Sequence, residues 1–483
     1  MHQALLVPEI LLYIFAHVKQ IGEPSYAQKP LSRQSLAALA TTCKIFYEPA
    51  MDFLWADMNM LLPLLGCVTR LHPMIYPSAQ QSWSLDIEPL SELERGQFLR
   101  HSGRVRSLSV SSDDDFHLLY ALPFDTCVFP NLLSLSWVVI STRYLRFFLS
   151  PTLRTCYIAI VQPELGRNSI GTRCPALEGL DIDTMGVMAQ ASHLSETVCS
   201  CKALVRLQCP PLDSAAWKHL STVLTLLSLS IYQESFSNPP SKLDTHNLSF
   251  VSFLNVTSLH FCYAPIADIT AVIQHSEFPS LKEFELVASI LPGEELLPLL
   301  QALSQCKACH TLEKIDISDD DPKAEEPTDN SFAVTRVLLC FTQLRALSLC
   351  VSCSINPDNA LLVEAFSSWP QLCSLSFPDL HHRPPKVTFL GLFEALRQCP
   401  HVHSLLLDVD VINIDIDPKV ESFQHTSLKR MGIYPSPAAD PEAVARIIFA
   451  MLPNVHLADT WGDVNTHLKS LRASSSLQGE DGD

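Results

Sequence analysis

The sequence predicts an α/β fold: a solenoid with a parallel sheet on its inner face, preceded by a small all-α module. Three observations predict it. A strand pattern, L-x-x-L-x-L with substitutions, starts at Val105, Leu132, Leu153, Leu177, Leu204, Leu226, Val256, Leu281, Leu312, Leu344, Leu372, Val402 and Leu428. The mean spacing is about 27 residues, inside the roughly 20–29-residue period of strand-plus-helix solenoids. Several strands are entered through an X-Pro step: Phe129-Pro130, Cys174-Pro175, Phe278-Pro279, Trp369-Pro370 and Cys399-Pro400. Proline there ends a helix and turns the chain into an extended run. Ahead of Val105 the apolar residues recur at helical spacing instead.

The helical module spans residues 1–60. Pro8 suits a first helical turn and Glu9 the positive end of the helix dipole. Ile10, Leu11, Ile14, Phe15 and Val18 form one apolar stripe, which Gly22, Pro24 and Pro30 interrupt. Leu36, Leu39, Ala40 and Cys43 form a second stripe, with Ser35 or Ser32 as its cap. Pro49 is placed to open a third helix that buries Phe53 and Leu54. Residues 61–104 are a lead-in of weak periodicity.

The array occupies residues 105–465, with a further unit starting at Val455 behind Leu452-Pro453. Helical patterns lie between strands, as at Leu296 to Leu303 and Phe389 to Leu396. The clearest is Asp440-Pro441-Glu442 followed by Val444, Ile447, Ile448 and Met451: a cap, a first-turn proline and an apolar stripe. The run from Ser318 to Asn330 reads as an inserted acidic loop, and residues 466–483 as a disordered acidic tail.

Lys and Arg number 33 against 51 Asp and Glu, a net charge of −18 with pI near 5.4. That balance argues against phosphate-backbone binding and against anionic membrane surfaces. No apolar run reaches the roughly 18–20 residues a membrane span needs. The mean hydropathy of +0.17 is high and fits many buried strands. Sixteen cysteines without a basic, apolar leader suggest reduced thiols in the cytosol or nucleus.

Catalytic, cofactor and metal chemistry find no motif to rest on, and no enzymatic activity or cofactor is expected. There is no G-x-x-x-x-G-K loop, no G-x-G-x-x-G and no G-x-S-x-G. Cys306/Cys309 and Cys350/Cys353 are C-x-x-C pairs, but Cys309 sits three residues before Leu312, the offset that Cys174, Cys201 and Cys399 share. A repeat position is the better reading than zinc. His381-His382 with His401 and His403, and the carboxylates Asp408, Asp410, Asp415 and Asp417, are weaker metal candidates. Surface or partly buried histidines and a polar strand face are the better readings.

The N-terminal spacing resembles the F-box, a three-helix motif that opens on Leu-Pro and closes near Leu-Trp. Here Val7-Pro8 and Leu54-Trp55 stand in those places, with Val7 where Leu is usual. The array is similar to the leucine-rich repeats behind many F-boxes. Its lead-in, Arg104-Val105-Arg106-Ser107-Leu108, resembles the F-box proteins abundant in mushroom-forming fungi. Positions three residues past the last strand leucine, where many such repeats carry Asn or Cys, hold neither (Asp113, Glu234 and Ser289 are examples). The resemblance implies a substrate-recognition adaptor of an SCF-type (cullin–RING) ubiquitin ligase. The adaptor-facing positions would be Pro8, Ile10, Leu11, Ile14, Leu39, Cys43, Leu54 and Trp55, holding a Skp-type adaptor and, through it, the cullin. The alternative is a plain leucine-rich-repeat interaction scaffold whose helices only cap the array.

Target binding is expected on the outward positions of the strands, among them Asp181, Gln208, His260, Glu283, Glu285, Glu313, Asp316, Arg345, Lys429 and Arg430. Glu283, Glu285, Glu313 and Asp316, with Arg345 at the edge, would form an acidic patch for a basic segment of an unidentified target protein. A merely solvated sheet face is the competing reading.

Overall fold

A computed structural model describes residues 7–20, 31–76, 84, 87–123, 126–139, 141–159, 170–183, 191–233, 250–320, 331–351, 355–378, 383–417, 423–432, 439–458 and 461–478. The chain divides into two compact units, Met1–His219 and Leu220–Asp483.

The first unit opens with three helices, α1 (Pro8–Gln20), α2 (Leu31–Thr42) and α3 (Lys44–Ala56). Leu11, Phe15, Leu36 and Ala50 seal their shared core, with Val18, Leu39, Phe46, Phe53 and Leu54 packed against it. Two details depart from the sequence expectation. α2 begins at Leu31, ahead of both candidate caps. α3 begins behind Cys43, so Pro49 lies inside the helix rather than at its start. Pro49 sits one full turn in, and the tertiary packing of Phe46, Ala50 and Phe53 outweighs the one hydrogen bond it removes.

α3 runs directly into strand β1 (Asp57–Met58), inside the stretch expected to be purely helical. Short helices α4 (Leu62–Leu65) and α5 (His72–Ile75) and then α6 (Glu92–Leu99) follow. Strands β2 (Ser107–Val110), β3 (Ser134–Val138), β4 (Thr155–Ala159), β5 (Gly179–Asp183) and β6 (Arg206–Cys209) then alternate with 3₁₀ turns, α7 (Ile170–Arg173) and α8 (Ala191–Ser200). β1 to β6 are parallel and laid side by side in chain order. Leu108, Leu135, Cys156, Leu180 and Leu207 face one another across four successive ladders, all nearly inaccessible.

α9 (Ser214–Thr222) spans the division between units. The second unit carries β7 (Ser228–Tyr232), β8 (Val251–Ser252), β9 (Ser258–Cys262), β10 (Ser276–Glu277), β11 (Glu283–Ala288), β12 (Lys314–Asp319), β13 (Ala346–Cys350), β14 (Ser374–Phe377), β15 (Ser404–Leu407), β16 (Arg430–Gly432) and β17 (His456–Leu457). Its helices are α10 (Ile266–Gln274), α11 (Gly293–Gln305), α12 (Ser331–Leu338), α13 (Asn359–Ser368), α14 (Phe389–Gln398), α15 (Pro441–Met451) and α16 (Gly462–Gln478). β8 pairs with β10 on their own; the other strands form parallel ladders in chain order. The repeating strand-plus-helix unit with an in-register leucine ladder is a leucine-rich-repeat solenoid. From β2 on, each ladder strand but the last begins two residues after a pattern start read from the sequence, and β17 begins one residue after Val455.

The tail is a correction. Instead of disorder from residue 466, α16 continues to Gln478, because Trp461, Val464 and Leu468 make a buried stripe against α15. Most of its polar residues face solvent, so composition hid the amphipathic pattern. Residues 479–483 lie outside the described ones.

Consecutive repeats are tied by a hydrogen-bond ladder on the side where chains enter the strands. In several repeats the residue just before the first strand leucine or valine reaches a carbonyl of the preceding repeat. Asn131 Nδ2 donates to Gly103 O (2.8 Å), Asn255 Nδ2 to Leu224 O (2.6 Å), Ser280 Oγ to Leu254 O (2.6 Å), Thr311 Oγ1 to Leu281 O (2.7 Å) and Asn454 Nδ2 to Thr426 O (2.8 Å). This ladder occupies the entry side, whereas the asparagine ladder sought in the sequence lies past the strand. Two residues earlier in the repeat, the core side chains do the same. Trp369 Nε1 donates to Leu338 O, and the Cys399 thiol donates to Phe366 O (3.1 Å) and Trp369 O (3.2 Å). Burial pushes the Cys399 thiol up to about 11, which keeps it a donor.

Candidate interaction surfaces

The first surface is the exposed face of α1. Its apolar stripe is wider than a three-helix core can cover. Leu11 and Phe15 point inward at 3% and 1% exposure, while Ile10 and Ile14 remain 40% and 37% exposed and Tyr13 77%. Val7 lies one turn ahead on the same side and is exposed as well. On α3, Ile45 and Tyr47 are also exposed.

The eight positions expected to face an adaptor therefore divide. Pro8, Ile10 and Ile14 are on the surface. Leu11 is a correction: it is core, and a partner cannot reach it. Leu39 and Leu54 are half-buried against that core, and Cys43 sits half-buried at the start of α3. Trp55 stacks on His101 of the lead-in, with ring centroids 4.7 Å apart and planes 9° from parallel. Burial, with Arg100 and Arg104 beside it, holds the His101 imidazole below its usual range and so favours the neutral ring in the stack. Arg104 reinforces the junction by pairing with both Glu48 and Asp52 of α3. Lys19 pairs with Asp57, and Arg33 Nη2 donates to Asp57 O at 2.9 Å.

The second surface is the sheet face of the second unit. Register places Glu283 beside Lys314, and Glu285 beside both His260 and Asp316. The four carboxylates are thus neighbours as expected, but the face is not simply acidic. Lys314 pairs with Glu285 and lies 3.9 Å from Asp316, Lys282 Nζ is 2.9 Å from Glu313, and Arg345 Nε is 3.6 Å from Glu313. The hydrogen bond from Lys282 holds the Glu313 carboxyl below its usual range. Lys282 and Lys314 were legible in the sequence, since Lys314 holds an outward position of Leu312-Glu313-Lys314-Ile315. The outcome is a row of alternating charges that largely satisfies itself.

Asp181 lies in the first unit, on β5 between Tyr157 and Gln208. Burial and the neighbouring Asp183 raise its carboxyl to about 6.

Two of the carboxylates weighed as weak metal candidates make local hydrogen bonds. Asp410 accepts the backbone N–H groups of Ile412 (2.9 Å) and Asn413 (3.0 Å), and Asp415 accepts that of Leu390 (3.1 Å). No cluster of three potential metal ligands occurs among the described residues. Cys353, His381 and His382 lie outside them. The fifteen described cysteines are all unpaired thiols.

Sequence reasoning missed an aromatic pair at the far ends of the strands, Tyr232 as the last residue of β7 and Tyr263 just after β9, with Asp320 bonded to the Tyr263 hydroxyl. The available signal was a tyrosine close to the strand end in adjacent repeats.

No known sequence family matches this chain, and no curated protein matches it. Among solved structures, an internalin of Listeria monocytogenes is similar at 12% identity and TM-score 0.39, over 77% of this chain and 94% of that one. A chain of the Rad7–Elc1 complex of yeast is similar at 13% identity and TM-score 0.41, over 89% of this chain and 98% of that one.

Proposed function

We propose that this chain is a substrate-recruiting adaptor of an SCF-type ubiquitin ligase, working in the cytosol or nucleus. The exposed stripe of α1 would hold a Skp-type adaptor, and the array a target protein. The observation that carries this reading is the excess of apolar surface on α1: Val7, Ile10, Tyr13 and Ile14 stay open although the bundle's own core is sealed. A capping module needs no such face, because its junction with the array uses Arg104, Trp55 and β1. The chain would then contribute no bond-making step. It would raise the effective concentration of target beside the ubiquitin-charged enzyme.

An Ile10→Asp, Ile14→Asp double variant tests this, since both positions are exposed and the core stays intact. Co-purification with a Skp-type adaptor should fall at least tenfold while the melting temperature of the array is unchanged. Equal adaptor capture by the variant, or no capture by the wild type, would leave only the scaffold reading.

A further inference from the structure

The last repeats of the array carry an unpaired positive strip. In L-x-x-L-x-L the two residues behind the first leucine lie outward at the start of each strand. From Leu344 onward they are Arg345-Ala346, Cys373-Ser374, His403-Ser404, Lys429-Arg430 and His456-Leu457, without a carboxylate. The strip is contiguous. His403 N–H donates to Cys373 O (2.9 Å), Lys429 N–H to His403 O (3.0 Å) and His456 N–H to Lys429 O (2.7 Å). Register places Arg430 between Ser404 and His456. His403, Lys429, Arg430 and His456 are all exposed, as is His401 two residues ahead of His403. Among the described residues no carboxylate pairs with any of these five. In the preceding repeats the same positions pair with one another instead, Lys282 with Glu313 and Lys314 with Glu285. The turns that feed the positive strip, residues 398–403, 424–429 and 452–455, lie wholly among the described ones.

An apolar shelf borders the strip. Two residues past Ser404, Leu406 takes an outward position on β15 and stays half-buried, where a solvated sheet face would carry a polar side chain. Leu406 leans over Gly432 of β16: a Cβ at Gly432 would come within 2.6 Å of Leu406 Cδ1. The missing side chain at Gly432 is what gives Leu406 that room.

We propose that His403, Lys429, Arg430 and Leu406 form a docking strip for an acidic segment of a partner protein that carries an apolar side chain among its carboxylates. The Lys429 ammonium and Arg430 guanidinium would pair with carboxylates, the imidazole would donate an N–H, and the apolar side chain would rest on Leu406. The net charge of −18 does not oppose this, because salt screens charges beyond about 8 Å at physiological ionic strength and the strip acts at contact. A nucleic-acid backbone is the poorer occupant, since it needs more clustered Lys and Arg than the pair found here. The inference rests on the array being the target-binding part of the proposed adaptor, and it specifies what that part reads. It does not depend on the ligase link.

Fluorescence anisotropy of the full chain with a labelled Glu-Asp-Glu-Leu-Glu-Asp peptide tests this, with Gln-Asn-Gln-Leu-Gln-Asn as the neutral control. The acidic peptide should bind at least tenfold more tightly than the neutral one, and added salt should weaken it. A Lys429→Glu, Arg430→Glu double variant should melt like wild type, since both residues are exposed, and lose the preference. Leu406→Ser should weaken the acidic peptide several-fold. Lys202→Glu with Arg206→Glu, exposed bases of the first unit, changes the net charge equally and should leave binding unchanged. Several results would each overturn the proposal: equal binding of the two peptides, no binding by the wild type, an unchanged preference in the Lys429/Arg430 variant, or an equal loss in the Lys202/Arg206 variant. So would tighter binding of single-stranded polyuridylate than of the acidic peptide, or binding that appears only once residues 479–483 are removed, which would make that acid-rich segment the occupant. Adaptor capture by the Lys429/Arg430 variant should equal wild type, which separates this failure from that of the ligase reading.

Discussion

Glu94 joins two pieces of the lead-in through four hydrogen bonds. The Ser91 N–H and hydroxyl donate to it at 2.8 and 2.9 Å, closing a capping box at the start of α6. Arg70 donates through Nε at 2.6 Å and Nη2 at 3.1 Å. The Arg70 bond, first among these causes, holds the Glu94 carboxyl down at about 2. An unfolded glutamate titrates near ~4.3, so the native state prefers the ionised form and this stability is fully present above that value. It fades as pH falls toward 2. Glu94→Gln should therefore cost about 1 kcal/mol at neutral pH, the scale of a lost cap, and nothing near pH 2. Urea titrations of both proteins at pH 7 and near pH 2 check this, and an equal gap at both values would refute it. Residue roles of this kind were only partly legible. Leu11 and Ile10 look alike in sequence, and only the packing of α2 and α3 decides which one is core.

Individual elements were legible where one binary pattern specifies them. The strand leucines are buried whatever surrounds them, so L-x-x-L-x-L located the ladder strands from β2 onward but not the separate pair β8 and β10. Helix starts were less legible, because Pro49 and Ser35 carry local preferences that packing overrode. The inter-repeat ladder was invisible, since Asn, Ser and Thr alternate in it and only their shared acceptor row reveals it. Each rung satisfies a carbonyl that the next repeat would otherwise cover. Asn131→Ala and Asn255→Ala should each lower stability by about 1 kcal/mol. The sites lie in different units and should add in the double variant. Chemical denaturation checks the sum, and no loss in either single variant would reduce the ladder to a geometric coincidence.

An open array must also end, and the final repeat shows how. The ladder leaves the entry-side carbonyls of the last unit without a following repeat to donate to them. Arg472 of α16 takes that role: its Nη2 donates to Val455 O at 2.6 Å and reaches Pro453 O at 3.2 Å. Asn465 Nδ2 donates to Ala458 O at 3.0 Å, and Trp461, Val464 and Leu468 cover the apolar side of α15. α16 thus replaces both the polar and the apolar contacts that another repeat would make, which is the requirement on a terminal cap. Truncation after Ala458 should uncover the side of α15 on which α16 packs, lower the melting temperature by several degrees and promote aggregation. Arg472→Ala, which keeps the apolar cover, should cost only about 1–2 kcal/mol and leave the protein monomeric. Removal of residues 479–483 should change neither property. Thermal melts with light scattering on the three variants decide the matter: if the chain ending at Ala458 melts like wild type and stays dispersed, α16 is not a cap.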